Sequence, residues 1–280
     1  MRHVWYFSVL VVCAVLLTSC NQEEAREDTA RRLPGVAGAP CYRAIDETFN
    51  IDGILDEESW KAAPKLSFHM SASPSSALAK YPGKMQAQWC WDDHYWYIAF
   101  TVDSPDINCP AGKKDWRSFT DDQVEVLIDP DGDGLDYCGM EIMPGKYVFD
   151  YRVKSTLEGE PLDLNAAWDF KGLQAGITVD GTLDNRTDVD RRWICEIAIP
   201  WAAFADVPGG EKPRHKTQWR VNLLGNDFLP PKGKQYIEFM WSQAYDLEQP
   251  SYKFHVPSRF GKVTFLDRHL KRPRAEASDE

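Results

Sequence analysis

The sequence predicts an all-β fold: a single antiparallel β-sandwich of about ten strands, immunoglobulin- or jelly-roll-like, with few short helices. Three observations predict it. Short runs of aromatic and β-branched residues succeed one another between residues 85 and 266. Proline and glycine, 18 of each, punctuate those runs. No segment keeps a helical apolar period long enough for a long helix.

The runs read in order as strands. Met85–Trp91 ("MQAQWCW") and Tyr95–Val102 ("YWYIAFTV") flank the turn Asp92-Asp93-His94. "QVEVLID" follows, apolar except for Glu125, and "CGMEIMP" and "KYVFDYRV" are joined by a Pro-Gly turn. "WICEIAIP", "TQWRVNLL", "QYIEFMW" and "FGKVTFL" complete the set. The helix-like pieces are short: "DEESWKAA" and "IPWAAFA". Trp60, Trp193, Trp201, Trp219 and Trp241 sit inside these runs and are expected in the core. No internal repeat and no second domain is evident.

The ends read differently. Residues 1–19 carry a short basic start and the apolar run "VWYFSVLVVCAVLL", which is short for a membrane span. The run closes on Leu17-Thr18-Ser19-Cys20, which resembles a bacterial lipobox and implies a signal peptide over 1–19 with diacylglyceryl attachment at Cys20. Residues 20–40 are charged and then Pro/Gly/Ala-rich, a lipid-anchored disordered linker. Residues 41–267 form the sandwich and 268–280 a disordered tail. The expected location is the bacterial cell envelope, lipid-anchored at the outer membrane or cell surface, with the periplasmic face as the other option.

Composition excludes some partners. A formal net charge of −11 argues against nucleic acid and anionic substrates. Aromatics make up 12% of the chain, which suits a packed core and equally suits sugar platforms. Cys41, Cys90, Cys109, Cys138 and Cys195 include no CxxC and match no zinc spacing, and an oxidising compartment would permit one or two disulfides. There is no GxSxG, HExxH, P-loop or dinucleotide fingerprint.

Five stretches occur in order: "IDGILDEESWKAAP", "WDDHYWYIAFTVDSPD", "TDDQVEVLIDPDGDG", "WICEIAIPW" and "PSRFGKVTF". Together, from about Ile51 to Leu266, they resemble the family 9 carbohydrate-binding modules, a β-sandwich family often appended to xylanases. The resemblance implies carbohydrate binding without catalysis, a sugar end being held between aromatic rings above polar side chains. The family's acid pair falls on Asp122 and Glu125, and its next polar position on Glu141, where family members can carry a basic residue. An amide-bearing position falls on Asn222. The first aromatic falls on Phe119, with Trp116 nearby, and the second on Phe254, with Tyr252 two residues earlier. The implied ligand is an oligo- or polysaccharide, and the implied setting is polysaccharide capture or catabolism.

Other readings compete for the same residues. Asp122 and Glu125 are three apart, so on one strand they point to opposite faces. They reach one pocket only if Asp122 lies in the loop before the strand. A glycoside hydrolase needs a carboxyl pair flanking one bond, and nothing in the spacing specifies it. "DPDGDG" places Asp129, Asp131 and Asp133 like the front of an EF-hand, but Met140 stands at the twelfth position and a strand precedes the loop. It reads as a hairpin loop with Gly132 and Gly134 supplying positive φ, and as a calcium site only outside the EF-hand pattern. No other cofactor is expected. His255 could bond a sugar hydroxyl or, with a methionine such as Met140, ligate haem in an electron-transfer domain, the runner-up reading.

Overall fold

The computed structural model describes residues 37–73, 81–109, 121–154, 162–229, 235–242 and 254–272. Cys20, Trp116, Phe119 and Tyr252 lie outside the described residues. Among the described residues no helix is long and apolar enough to cross a membrane.

Alternation of apolar side chains decides where the strands run and which way each faces. The strands are β1 (Gly38–Arg43), β2 (Leu66–Ser67), β3 (His69–Ser73), β4 (Lys84–Trp91), β5 (Tyr95–Asp103), β6 (Gln123–Asp129) and β7 (Tyr137–Met143). They continue as β8 (Tyr147–Val153), β9 (Leu164–Asn165), β10 (Gln174–Asp180), β11 (Arg192–Pro200), β12 (Gln218–Leu229), β13 (Gln235–Met240) and β14 (Gly261–His269). One short helix, α1 (Glu58–Ala62), and 3₁₀ turns at Trp201–Phe204 and Pro257–Arg259 complete the described elements.

The β-sandwich is therefore as the sequence predicts, with more strands. The order along the continuous sheet is β10-β11-β5-β4-β1-β14-β12-β6-β7-β8-β9, and β13 pairs with both β12 and β3. The pairings are antiparallel except around β1, which runs parallel to both β14 and β4. This strand begins at Gly38, inside the stretch that composition assigns to the linker, and buries Cys41 completely.

The sheet folds over so that its two halves share one core. From β4, β5 and β11 come Trp89, Trp91, Trp96, Ile98, Phe100, Ile197 and Ile199; from β6, β7 and β12 come Val124, Val126, Ile128, Met140, Val221 and Leu223. Trp60, Trp193, Trp201, Trp219 and Trp241 are all buried, as expected of core residues. Trp96 and Trp219 meet edge-on at 5.9 Å, and Trp219 meets Phe265 at 5.2 Å. The T-shaped geometry places ring edges against ring faces and adds to the area term. The five described cysteines are buried free thiols with no disulfide between them.

The outer face of the β4–β5–β11 half is capped by the first of the quoted motifs. Trp60 on α1 donates its indole N–H to Glu196 Oε1 at 2.9 Å. Asp52 and Gly53 donate backbone N–H groups to Glu196 Oε2, both at 3.1 Å. One buried carboxylate thus anchors the whole "IDGILDEESW" segment. Burial pushes the Glu196 pKa up from an ordinary 4.5 to about 7, against the pull of those three donors.

A raised carboxylate pKa favours folding of the protonated form, so the contribution is fully present below about pH 4.5 and is lost as pH rises through about 7. Glu196→Gln cannot titrate. The stability of the wild type relative to this variant should therefore decline between these pH values in urea unfolding. A difference independent of pH would contradict the assignment.

Candidate functional site

The second face of the β6–β7–β12 half carries chemistry that the core face does not. Residues paired across a ladder share a face. Leu224 pairs with Glu125, and Glu125 with Glu141; Asn222 pairs with Leu127, Leu127 with Gly139, and Gly139 with Tyr151. Asn226 pairs with Glu238 on β13. Glu125, Glu141, Asn222, Tyr151 and Glu238 therefore stand on one surface, away from the main core. Around them lies a second apolar cluster including Leu127, Tyr137, Phe149, Tyr151, Leu224, Met240 and Phe260, with Phe254 packed against its edge.

Glu125 is 2% exposed and accepts a 2.5 Å hydrogen bond from the Tyr151 hydroxyl. Tyr151 reaches it because position 139 is glycine: a Cβ there would come within 2.8 Å of the Tyr151 ring and of the Leu127 side chain. Burial raises the Glu125 pKa well above the ordinary range, and the facing Glu141 and nearby Glu238 add to the rise, while the Tyr151 bond lowers it. Two carboxyls directly opposite each other on neighbouring strands repel when both are charged. One of them therefore favours its proton.

Asn222 is fully buried, and neither its amide oxygen nor its nitrogen has a hydrogen-bond partner among the described residues. Leaving such a group unsatisfied costs about 1–3 kcal/mol. Leucine would fill much the same volume without that cost.

His255 shares a 2.8 Å hydrogen bond with the Tyr137 hydroxyl through Nδ1, and its ring lies 4.8 Å from that of Phe254. Met140, the suggested second haem ligand, points the other way along β7 into the main core. His255 and Met140 do not converge on one group.

Asp122 stands apart from Glu125. It lies immediately before β6 and is 1% exposed. Its carboxylate accepts backbone N–H groups from Asn108 at 2.8 Å and Phe228 at 2.7 Å. The geometry brings Glu125, Glu141 and Asn222 together, with Phe254 at the margin, and seats Asp122 on backbone amides beside them. Tyr151 and Glu238 are members of the face that sequence reasoning missed. A polar residue within an apolar strand, as in "QYIEFMW", was the available signal for Glu238.

The acidic loop is a tight turn. Gly132 and Gly134 adopt φ of 75° and 85° as the sequence predicts. Their N–H groups donate to Asp129 Oδ1 at 3.0 Å and Oδ2 at 3.1 Å. Asp129, Asp131 and Asp133 bring carboxylate oxygens within 4.8 Å of one another. Burial raises the Asp129 pKa to about 7, the two glycine N–H groups pulling against it. A divalent cation would favour the ionised loop. Calcium at ten times its Kd would raise stability by about 1.4 kcal/mol, visible in thermal melting and removed by Asp131→Ala. Melting unchanged at saturating calcium would leave the loop a turn only.

The chain matches the model of the carbohydrate family 9 binding domain-like proteins over residues 51–268. No curated protein gives a significant match. Among solved structures, a Bacteroides uniformis protein inferred to bind carbohydrate is similar at a TM-score of 0.60 and 14% identity, over 82% of this chain and 100% of that one. A family 9 carbohydrate-binding module from Caldicellulosiruptor kristjanssonii, solved with cellotriose, is similar at 0.54 and 14% identity, covering 86% of this chain and 100% of that one. Its complex with glucose gives 0.53 at the same identity and coverage. At this identity the structural likeness carries the fold alone. The five ordered motifs, the sandwich and the match over residues 51–268 together make the chain a member of the carbohydrate family 9 binding domain-like family.

Proposed function

We propose that this protein is a non-catalytic carbohydrate-binding module, anchored by lipid at Cys20 to the bacterial cell envelope, that captures oligo- or polysaccharide during its breakdown. The observation that carries the reading is Asn222: a buried amide without a partner among the described residues, on the same face as Glu125 and Glu141. Sugar hydroxyls both donate and accept, so an amide on the same face as two carboxyls suits them well. The aromatic wall would come from Phe254, with Trp116, Phe119 and Tyr252 as the family pattern implies. Family membership supports binding as the activity, and the relative from Caldicellulosiruptor kristjanssonii was solved with cellotriose and with glucose. Hydrolysis is not required of any residue on this face. Attachment at Cys20 rests on the Leu17-Thr18-Ser19-Cys20 motif.

A glycan array on the wild type, followed by calorimetry with the best ligand, tests the site through Asn222→Leu. The variant should be as stable as the wild type or more so, yet bind at least about tenfold more weakly, the loss expected from about 1.4 kcal/mol. Equal affinity would remove Asn222 from the site. An oligosaccharide cleaved on prolonged incubation would overturn the non-catalytic reading.

Cys20→Ser tests the anchor. The variant should leave the membrane fraction when expressed in a bacterial host. Continued partitioning with membranes would show that another segment attaches the protein.

A further inference from the structure

The Asp122 carboxylate joins three segments at one end of the site face. After β5, Asn108 donates its backbone N–H to Asp122 Oδ2 at 2.8 Å, and its carbonyl accepts the Asp122 N–H at 2.8 Å. After the last pair of the β6–β12 ladder, Asn226 with Gln123, Phe228 donates its N–H to Asp122 Oδ1 at 2.7 Å. The side chain thus continues the ladder beyond the point where backbone pairing stops.

The same place holds a second buried acid. Asp227, also 1% exposed, comes beside Asp122 one step beyond that last pair and accepts a hydrogen bond from the Tyr81 hydroxyl. Burial raises the pKa of both, and each feels another carboxylate nearby, Asp227 reaching about 6. Retaining two acids in so dry a place is unfavourable unless their bonds are needed.

Register is what those bonds protect. A one-residue slip of β12 on β6 would turn every side chain to the opposite face. Glu125 lies three residues from Asp122, and Asn222 six residues before Phe228 on the facing strand. We propose that Asp122 is a positioning residue of the carbohydrate site: it clamps Asn108 and Phe228 to the start of β6 and thereby holds Glu125 and Asn222 in register. The proposal rests on the carbohydrate reading only for its effect on affinity.

Asp190 supplies a matched control. It is 6% exposed and likewise accepts two backbone N–H groups, from Ile107 at 2.6 Å and Thr182 at 2.7 Å. It braces the segment before Asn108, and its hydrogen bonds to Ile107, Thr182 and Pro105 involve no residue of the β6–β12 ladder. In Asp122→Asn and Asp190→Asn alike, an amide N–H₂ would face a backbone N–H in place of an acceptor.

Hydrogen exchange at the amides of residues 123–127 and 222–226, well below the melting temperature of each variant, separates the two roles. Asp122→Asn should speed exchange in these strands by about tenfold or more, as leaving a buried backbone N–H without its acceptor implies, while Asp190→Asn leaves it near wild type. Affinity for the best array glycan should follow the same split. Equal effects of the two substitutions, or no effect of Asp122→Asn on exchange, would overturn the proposal. If Asp122→Asn does not fold, Asp122→Glu, which keeps the carboxyl group and displaces both acceptors, carries the same comparison. If the wild type binds no glycan, the carbohydrate reading fails and the exchange contrast alone decides the clamp.

Discussion

The backbone ladder between β12 and β6 is the constraint on which the rest of the molecule depends. Its register, from Arg220 with Asp129 to Asn226 with Gln123, sends Val124, Val126, Val221 and Leu223 into the main core. The same register turns Glu125 and Asn222 to the other face. Core and site are thus two readouts of one alignment. Its two ends are closed by aspartates: Asp129 holds the Gly132–Gly134 turn at one, and Asp122 holds Asn108 and Phe228 at the other.

The acids of the fold sort by what they accept. Glu196, Asp122, Asp129 and Asp190 all accept backbone N–H groups and serve architecture, each taking two. Glu125 differs: it accepts from a tyrosine hydroxyl, and another carboxyl faces it across the strand. Charge repulsion and burial both act against folding there, as does the unsatisfied amide of Asn222. Such local unfavourable terms, gathered on one surface among aromatic side chains, are what a binding site retains at some expense of stability.

Much of this was legible in the sequence. Strands whose residues alternate or carry dense aromatics, such as Tyr95–Asp103 and Arg192–Pro200, announce themselves. β1 does not, because Gly38, Ala39 and Pro40 read as linker; it becomes a strand only by pairing with β14 and β4, far away in sequence. β10 is equally quiet, with an exposed start and a glycine at 176. On the candidate face, the family resemblance pointed to Glu125, Glu141 and Asn222, and Glu125 also stood out as an acid within an apolar strand. Tyr151 was not readable, since its link to Glu125 depends on the register of β7 and β8 and on the absence of a side chain at Gly139. Asp122 was readable as a conspicuous acid, but its three-segment contact is a property of the folded chain.

In the carbohydrate reading, the buried amide of Asn222 finds its partner in the ligand. The side-chain N–H₂ resonances of Asn222, observed in ¹⁵N-labelled protein while the best array glycan is added, test this most directly. Binding should shift both proton signals and slow their exchange with water as sugar oxygens accept them. Saturation of the protein with glycan while the Asn222 signals stay where they were would place the ligand elsewhere and contradict the account.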